Sequence, residues 1–451
     1  MGQGRARLLL AWLCGGAALA WAAGFAATPD WPAHLRLFQL TDFALAVLVT
    51  AGALRGREGH GRAWLIFFWA TAAAARALLV LHPPPLSSDI YRYVWDARVW
   101  RHGINPFRHP PVDPSLAFLR DATVYPRINY PEIPTIYPLF DQLLFLAASV
   151  LVPGALGLKA LLAAAELGLL ALVRRELHRR GRPLSWSWLV AWHPLLLTET
   201  AANGHADAWG ALLLFAGLTW VARKPLRGAA LLALAALCKW TALVALPALR
   251  LTRRQWLLAA ALVLAGAAAF VGPGVPAFYA LGQYLGRWRW NDALFWVVMQ
   301  ETQGLGRAKL VVAAILLAWV LLVSRRERDP VLAARSALGA LFLLAPAVHP
   351  WYAVWILPLV ALAPDPGWLW LLAALPLAYG PWPDRLAVSQ AELGPGLKAL
   401  EFGPAFAWWL GAFALRFARK KRTGPDRSGP AQDSTAREAD VAGATTAPRS
   451  P

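Results

Sequence analysis

Long apolar runs alternate along the chain with short, strongly basic breaks. Apolar windows of about 16–22 residues recur from one end to the other, as expected for helices crossing the ~30 Å hydrocarbon core of a bilayer. They predict spans at about 8–27, 37–54, 63–81, 156–174, 184–200, 205–221, 228–238, 240–249, 256–273, 308–323, 332–348, 351–363, 367–380 and 403–418. Between them lie RGREGHGR (55–62), RRELHRRGR (174–182), RKPLR (223–227), RLTRR (250–254), RRER (325–328) and RFARKKR (416–422). Lys and Arg resist translocation, so such clusters mark the cytoplasmic side. With them as anchors the spans alternate in direction and both termini fall inside. The pair at 228–249 has basic clusters on both flanks, so it goes up and returns, or is re-entrant. MGQGRAR precedes an apolar run from Leu8 to Ala27 long enough to span, which predicts an uncleaved first helix and not a signal peptide.

One segment breaks the parity. Counting IYPLFDQLLFLAASVL (136–151) as a span would put the basic run 174–182 outside, and Pro138 and Asp141 interrupt its start. It is expected to lie in the outer interface, or to dip in without crossing. The polar stretch His82–Thr135 then faces outward. It holds Asp89, Asp96, Asp113, Asp121 and Glu132, with more Tyr, Trp and Phe than a disordered loop carries. Within SSDIYRYVWDARVWRHGINPFRHPP (87–111) the spacing predicts a helix lying on the membrane. Ile90, Val94 and Ala97 share one face, extended by Tyr93 and Trp100. Arg92 and Asp96 can pair at i, i+4, and Ser87 or Ser88 can cap the start.

Composition sharpens this picture. Of 451 residues, 58% are hydrophobic and 15% charged, and mean hydropathy is +0.45. Soluble domains carry about 25% charged residues, so a water-soluble enzyme is excluded. The net charge of +19 would suit nucleic acid, but most of it sits in the short clusters between spans, where topology accounts for it. Cys14 and Cys238 both lie in apolar spans and support neither a disulfide framework nor a Cys-based metal site.

Polar side chains at span ends are costly without a partner or a cavity, which makes them functional candidates. By parity several fall on one side. Asp89 is either a helix cap or a catalytic carboxylate. HPLLLTETAANGHAD (193–207) places Glu199, Asn203, His205 and Asp207 where a turn needs only Asn-Gly. Lys239 either snorkels or binds a phosphate. GRWRWND (286–292) sets Arg287 and Arg289 among tryptophans on the side where arginine is disfavoured, so it is either an interfacial belt or an anion site. His349-Pro350-Trp351-Tyr352 closes a further turn on the same side. One site would account for all of them. Its cations suit a phosphate, its carboxylate a proton abstraction, and its aromatics a sugar or lipid face.

These stretches resemble the bacterial polytopic glycosyltransferases of the GT-C type, which use polyprenyl-phosphate sugars, and among them the mannosyltransferase-like GT87 group. The likeness rests on 87–111, PRINYPEIPTIYPL (126–139), ETAANGHAD (199–207), CKW (238–240), WRWNDALF (288–295) and HPWYAVWILP (349–358), in the family's order, over roughly residues 60–363. It implies an all-α GT-C-like bundle of about 12–14 transmembrane helices, with a large outer loop (82–135) carrying interfacial helices and an acidic residue near its start, here Asp89. In many relatives that loop follows the first helix. Here it follows the third, so 1–54 reads as an added N-terminal hairpin, 55–363 as the catalytic core, 364–418 as C-terminal helices and 419–451 as a disordered cytoplasmic tail.

The implied activity moves a hexose, mannose foremost, from a polyprenyl-phosphate sugar to a lipid or glycan acceptor, with inversion, at the outer face of a bacterial plasma membrane. The leaving phosphate is already a stable anion, so one base suffices, unlike the carboxyl pair of a glycosidase. The resemblance gives that role to Asp89, with His349 sharing or orienting the proton. Lys239, Arg287 and Arg289 would hold the donor phosphate. Tyr91, Arg92, Glu199, Asn203, His205, Asp207, Trp351 and Tyr352 would contact substrate. No cofactor is demanded, although two acids and an amide could take a divalent metal. The alternatives are a transporter or lipid flippase without transferase activity, and a structural partner in a cell-envelope assembly.

Overall fold

Apolar residues at every turn of a long run leave the backbone one way to satisfy itself in lipid, by hydrogen bonding within a helix. The computed structural model describes residues 2–422 except 57, 60, 273–274 and 380–393. The tail expected to be disordered lies, from residue 423 onward, outside the described residues. Among them there is no strand, and extended pairing is limited to an isolated bridge between Trp290 and Ala347. Five helices are long and apolar enough to cross a bilayer: Ala6–Ala27, Pro32–Arg55, Arg62–Leu81, Ala155–Arg179 and Leu305–Arg326. Shorter apolar helices accompany them, and the chain is an all-α polytopic membrane protein. It divides into two compact units, Met1–Phe406 and Ala407–Pro451. The helix Pro395–Arg422 runs across that division, and all that follows concerns the first unit.

The span expected at 184–200 is not continuous. Trp188–Trp192 is helical, the chain turns extended at His193, and Leu197–Ala202 forms a π-helix. Pro194 is the reason. It has no N–H for the carbonyl of Val190 and forces the residue before it out of the helical region. The amide of Leu195 turns to His193 Nδ1 (3.2 Å), which frees the carbonyl of Ala191 as well. Arg76 serves both: its guanidinium donates to the carbonyls of Val190 (2.8 Å) and Ala191 (2.9 Å), and its Nε pairs with Glu166 (2.8 Å). A wide π-turn then carries Glu199 to Asp207, a form that recurs at functional sites.

The pair at 228–249 is also broken. A 14-residue helix, Pro225–Cys238, ends at Lys239, whose backbone is extended, and only short 3₁₀ turns follow. The interfacial candidate at 136–151 becomes the 13-residue helix Leu139–Leu151, about 20 Å long at 1.5 Å per residue and short of a full span.

The loop helix forms as expected, from Asp89 to Arg101, with Arg92 and Asp96 paired at 2.8 Å. It does not lie with one face on the membrane. Ile90, Arg92, Tyr93, Val94, Trp95, Asp96, Ala97 and Val99 are all buried. The rest of the loop folds back over it, so that Leu116, Leu119, Val124 and Ile128 join Ile90, Tyr93, Trp95 and Phe145 in one core with Leu158 and Leu162.

Candidate active site

Three contacts fix the entry to the loop helix. Buried Lys159 donates to the carbonyls of Leu79 (2.8 Å) and His82 at the end of the preceding helix. The amide of Leu86 donates to Asn203 Oδ1 (3.1 Å), tying the loop to the π-turn. At Gly204 the chain takes φ +79, and an added Cβ would lie 2.4 Å from Ile90 Cδ1, so the turn approaches the helix through a residue that must be glycine.

Asp89 is the first residue of its helix, and its amide donates to Ser87 Oγ (3.2 Å). Its Oδ1 accepts from Asn129 Nδ2 (2.7 Å), and its side chain keeps 19% exposure. Oδ2 faces His205 Nε2 at 3.9 Å. That same Nε2 lies 3.0 Å from Ser87 Oγ. On its other side the His205 ring meets Glu199 twice, with Nδ1 3.0 Å from the backbone oxygen and 3.1 Å from Oε2. Both neighbours are acceptors, so Nδ1 carries the hydrogen and Nε2 the lone pair. Glu199 also accepts from Tyr379 Oη (3.0 and 2.9 Å) and Asn203 Nδ2 (3.3 Å).

From His205 a column of rings runs onward. Trp351 stacks on it at 4.1 Å, His349 on Trp351 at 4.3 Å, and Trp290 on His349 at 6.2 Å. Beside the column, Lys239 lies over the Tyr352 ring (4.3 Å) and pairs with Asp207 (2.6 Å), whose same oxygen also accepts from Trp355 Nε1 (2.6 Å). The Tyr352 and Tyr284 hydroxyls meet at 2.5 Å. Burial, with the nearby Lys239 and His205, pushes His349 down to about 3, so its ring is neutral at physiological pH, and its Nδ1 is buried without a partner. Burial pushes the Tyr284 phenol up to about 12. The cluster thus offers a partly open carboxylate, a cation on an aromatic floor, and neutral hydrogen-bonding rings. No group of three or more His, Cys, Asp or Glu side chains among the described residues is placed to hold a metal ion.

Residues 39–255 match the family model described as alpha-(1->6)-mannopyranosyltransferase, N-terminal domain, and residues 296–378 match that of the MptB C-terminal domain, together well over half of the chain. The chain belongs to this mannosyltransferase family. No curated protein and no solved structure matches it. The resemblance to GT-C mannosyltransferases is borne out.

Both matched stretches of the mannosyltransferase build the cluster. Asp89, Glu199, Asn203, His205, Asp207 and Lys239 come from the first, and His349, Trp351 and Tyr352 from the second. Tyr91 lies one residue past Ile90, which packs against Gly204, and its hydroxyl accepts from Arg127 (3.1 Å). Three expected contributors are not brought in. Arg92 is turned inward to Asp96, because Asp96 and Gln142 (2.9 Å) form a buried network at that position. Arg289 pairs with Asp292 (2.8 Å), which also holds Lys398 (2.6 Å). Arg287 is exposed at the end of the helix Tyr279–Arg287. What this segment does contribute is Trp290, pinned by hydrogen bonds to Pro346 (3.0 Å) and Val348 (2.7 Å). His349, expected to share the Asp89 proton, is separated from that region by the Trp351 ring, and His205 takes the place beside Asp89.

The sequence reading missed Asn129, Tyr284, Trp355 and Tyr379, and took Ser87 only as a cap. Asn129 and Trp355 lie inside stretches that carried the resemblance. Tyr284 and Tyr379 had no signal.

Proposed function

We propose that this mannosyltransferase moves a mannosyl group from a polyprenyl-phosphate sugar to a hydroxyl of a lipid or glycan acceptor, with inversion, at the outer face of a bacterial plasma membrane. The observation that carries the reading is the placement of the partly open Asp89 carboxylate and the Lys239 ammonium in one cluster. Asp89 takes the acceptor proton as its oxygen attacks the anomeric carbon. A single displacement inverts that carbon. Lys239, oriented by Asp207, receives the charge gathering on the leaving phosphate. Neutral His349 and the Trp351 and Tyr352 rings supply a hydrogen-bonding aromatic wall for the sugar. The face follows from charge. The helix Ala155–Arg179 starts beside the loop core, through Leu158 and Leu162, and ends in the basic run 174–182, which favours the cytoplasm.

The test uses purified full-length protein, a mannosyl polyprenyl phosphate and a glycolipid acceptor. Asp89→Asn should lose about 10²–10⁴-fold in turnover, the range for general-base removal, with unchanged thermal stability. Transfer at the wild-type rate would overturn the assignment of the base. A wild-type protein that transfers nothing from such donors, yet moves lipid across vesicles, would overturn the reaction class.

A further inference from the structure

Asp89 must pass on any proton it accepts before the next turnover, and the residues behind it are arranged for that. His205 is fully buried, and its Nε2 lone pair points to the Asp89 side. The 3.9 Å gap to Oδ2 is about 1 Å longer than a hydrogen bond. Ser87 Oγ lies beside this gap, 3.0 Å from Nε2, and it accepts from the Asp89 backbone amide, which ties the ring to the start of the loop helix. Behind the ring, Glu199 holds Nδ1–H through both its backbone oxygen and its carboxylate, and Tyr379 and Asn203 hold that carboxylate in turn. Carboxylate, imidazole and base thus stand in a line, the order in which one group sets a histidine's tautomer and steadies its cation. A ring needed only for packing would not require its hydrogen fixed on one nitrogen and its lone pair turned to a carboxylate.

We infer that His205, oriented by Glu199, is a positioning residue that relays the acceptor's proton away from Asp89; the inference rests on the transfer reaction proposed above. The acceptor oxygen bonds to the anomeric carbon, and the carbon–phosphate oxygen bond breaks with its electron pair leaving on the phosphate. The acceptor proton goes to Asp89 Oδ2 and then to His205 Nε2. The resulting imidazolium faces Glu199 through Nδ1–H, and its Nε2 proton leaves through the hydroxyl of Ser87, which is partly exposed, to water. The charged or titratable groups around the ring are Asp89 and Glu199 in contact, Tyr379 and Asp42 beyond Glu199, and His349 and Lys239 across Trp351. Anionic groups thus stand nearest the site of the new positive charge.

The experiment measures turnover and donor KM against pH from 5 to 9, together with thermal stability. The substrates are a mannosyl polyprenyl phosphate and a glycolipid acceptor. His205→Gln should lower kcat at least about tenfold, less than loss of the base itself, with donor KM unchanged and a pH profile that differs from that of the wild type. Glu199→Gln should lower kcat as well, since the imidazolium loses its carboxylate, again with donor KM unchanged. Wild-type turnover and profile in both variants would overturn the relay. So would a lower melting temperature with an unchanged profile, which marks a packing role. If His205→Gln does not fold, Glu199→Gln decides alone by the split between its kcat and its donor KM. A wild type inactive with every such donor fails the proposed function before any variant is compared.

Discussion

Two ion pairs in this largely apolar chain have opposite fates. Arg76 and Glu166 meet at 2.8 Å with side-chain exposures of 1% and 0%, and the guanidinium also donates to the carbonyls of Val190 and Ala191 at the helix break and of Ala72 in its own helix. Lys239 and Asp207 meet at 2.6 Å, but the lysine side chain keeps 22% exposure and lies over an aromatic ring with donors to spare. A charge whose donors all end inside the fold is scaffold. A charge held at one atom and open at another can meet a ligand. Composition does not separate the two pairs, since each is a single basic residue in an apolar run. The helix break beside Arg76 and the tip position of Lys239 do.

Exchanging the same side chain at both places tests the contrast most severely. Arg76→Met leaves Glu166 buried without its cation and two carbonyls unpaired, and should cost about 3–5 kcal/mol of stability, read as a large fall in melting temperature of the detergent-solubilised protein. Lys239→Met should leave that temperature nearly unchanged while turnover falls about 10²–10³-fold, the scale for removing one donor to a developing anion. A folded, active Arg76 variant, or an unfolded Lys239 variant, would erase the distinction. Gly204→Ala probes the joint between scaffold and site. The positive φ and the contact with Ile90 together predict a loss of about 2–3 kcal/mol, with activity falling in parallel because Asn203 and His205 flank the strained residue.

The smallest effect lies in the loop. Burial works against the Asp121 carboxylate, but the amides of Val124 and Thr123 and the Arg98 guanidinium outweigh it and hold the group at about 2. A depressed carboxylate stabilises the fold above its unfolded value near 3.9 and stops doing so as pH falls from there through about 2. Hydrogen exchange of residues 121–125 should therefore rise over that window, and Asp121→Asn should abolish the change.

Much of this was legible in the chain. Apolar length marked the spans, and the i, i+4 spacing of Arg92 and Asp96 predicted a pair that forms. The stretch 199–207 declared itself by density of polar groups. What spacing could not supply is how remote segments meet. Asn129 reaches Asp89 across 40 positions of irregular loop, and Tyr379 reaches Glu199 from a stretch of generic apolar character. The reading of Arg92 failed for a related reason. A helix with charges on one side looks amphipathic until the loop beyond it folds back and makes that side interior. His349 was paired with Asp89 because both belong to the same cluster, but order within a cluster is set by ring stacking, which leaves no periodic trace.

The Arg76 clamp also bears on how the protein is made. The helix Arg62–Leu81 leaves the ribosome long before its partners, since Glu166 follows Arg76 by 90 residues and Ala191 by 115. Until they arrive, a lone arginine three-quarters of the way along that helix faces lipid, at a cost bounded by the roughly 2.5–3.5 kcal/mol that insertion scales give at a helix centre. The helix Ala155–Arg179 and the broken segment around Pro194 are therefore required early in assembly, and the loop with Asp89 closes onto a bundle that this arginine has already drawn together.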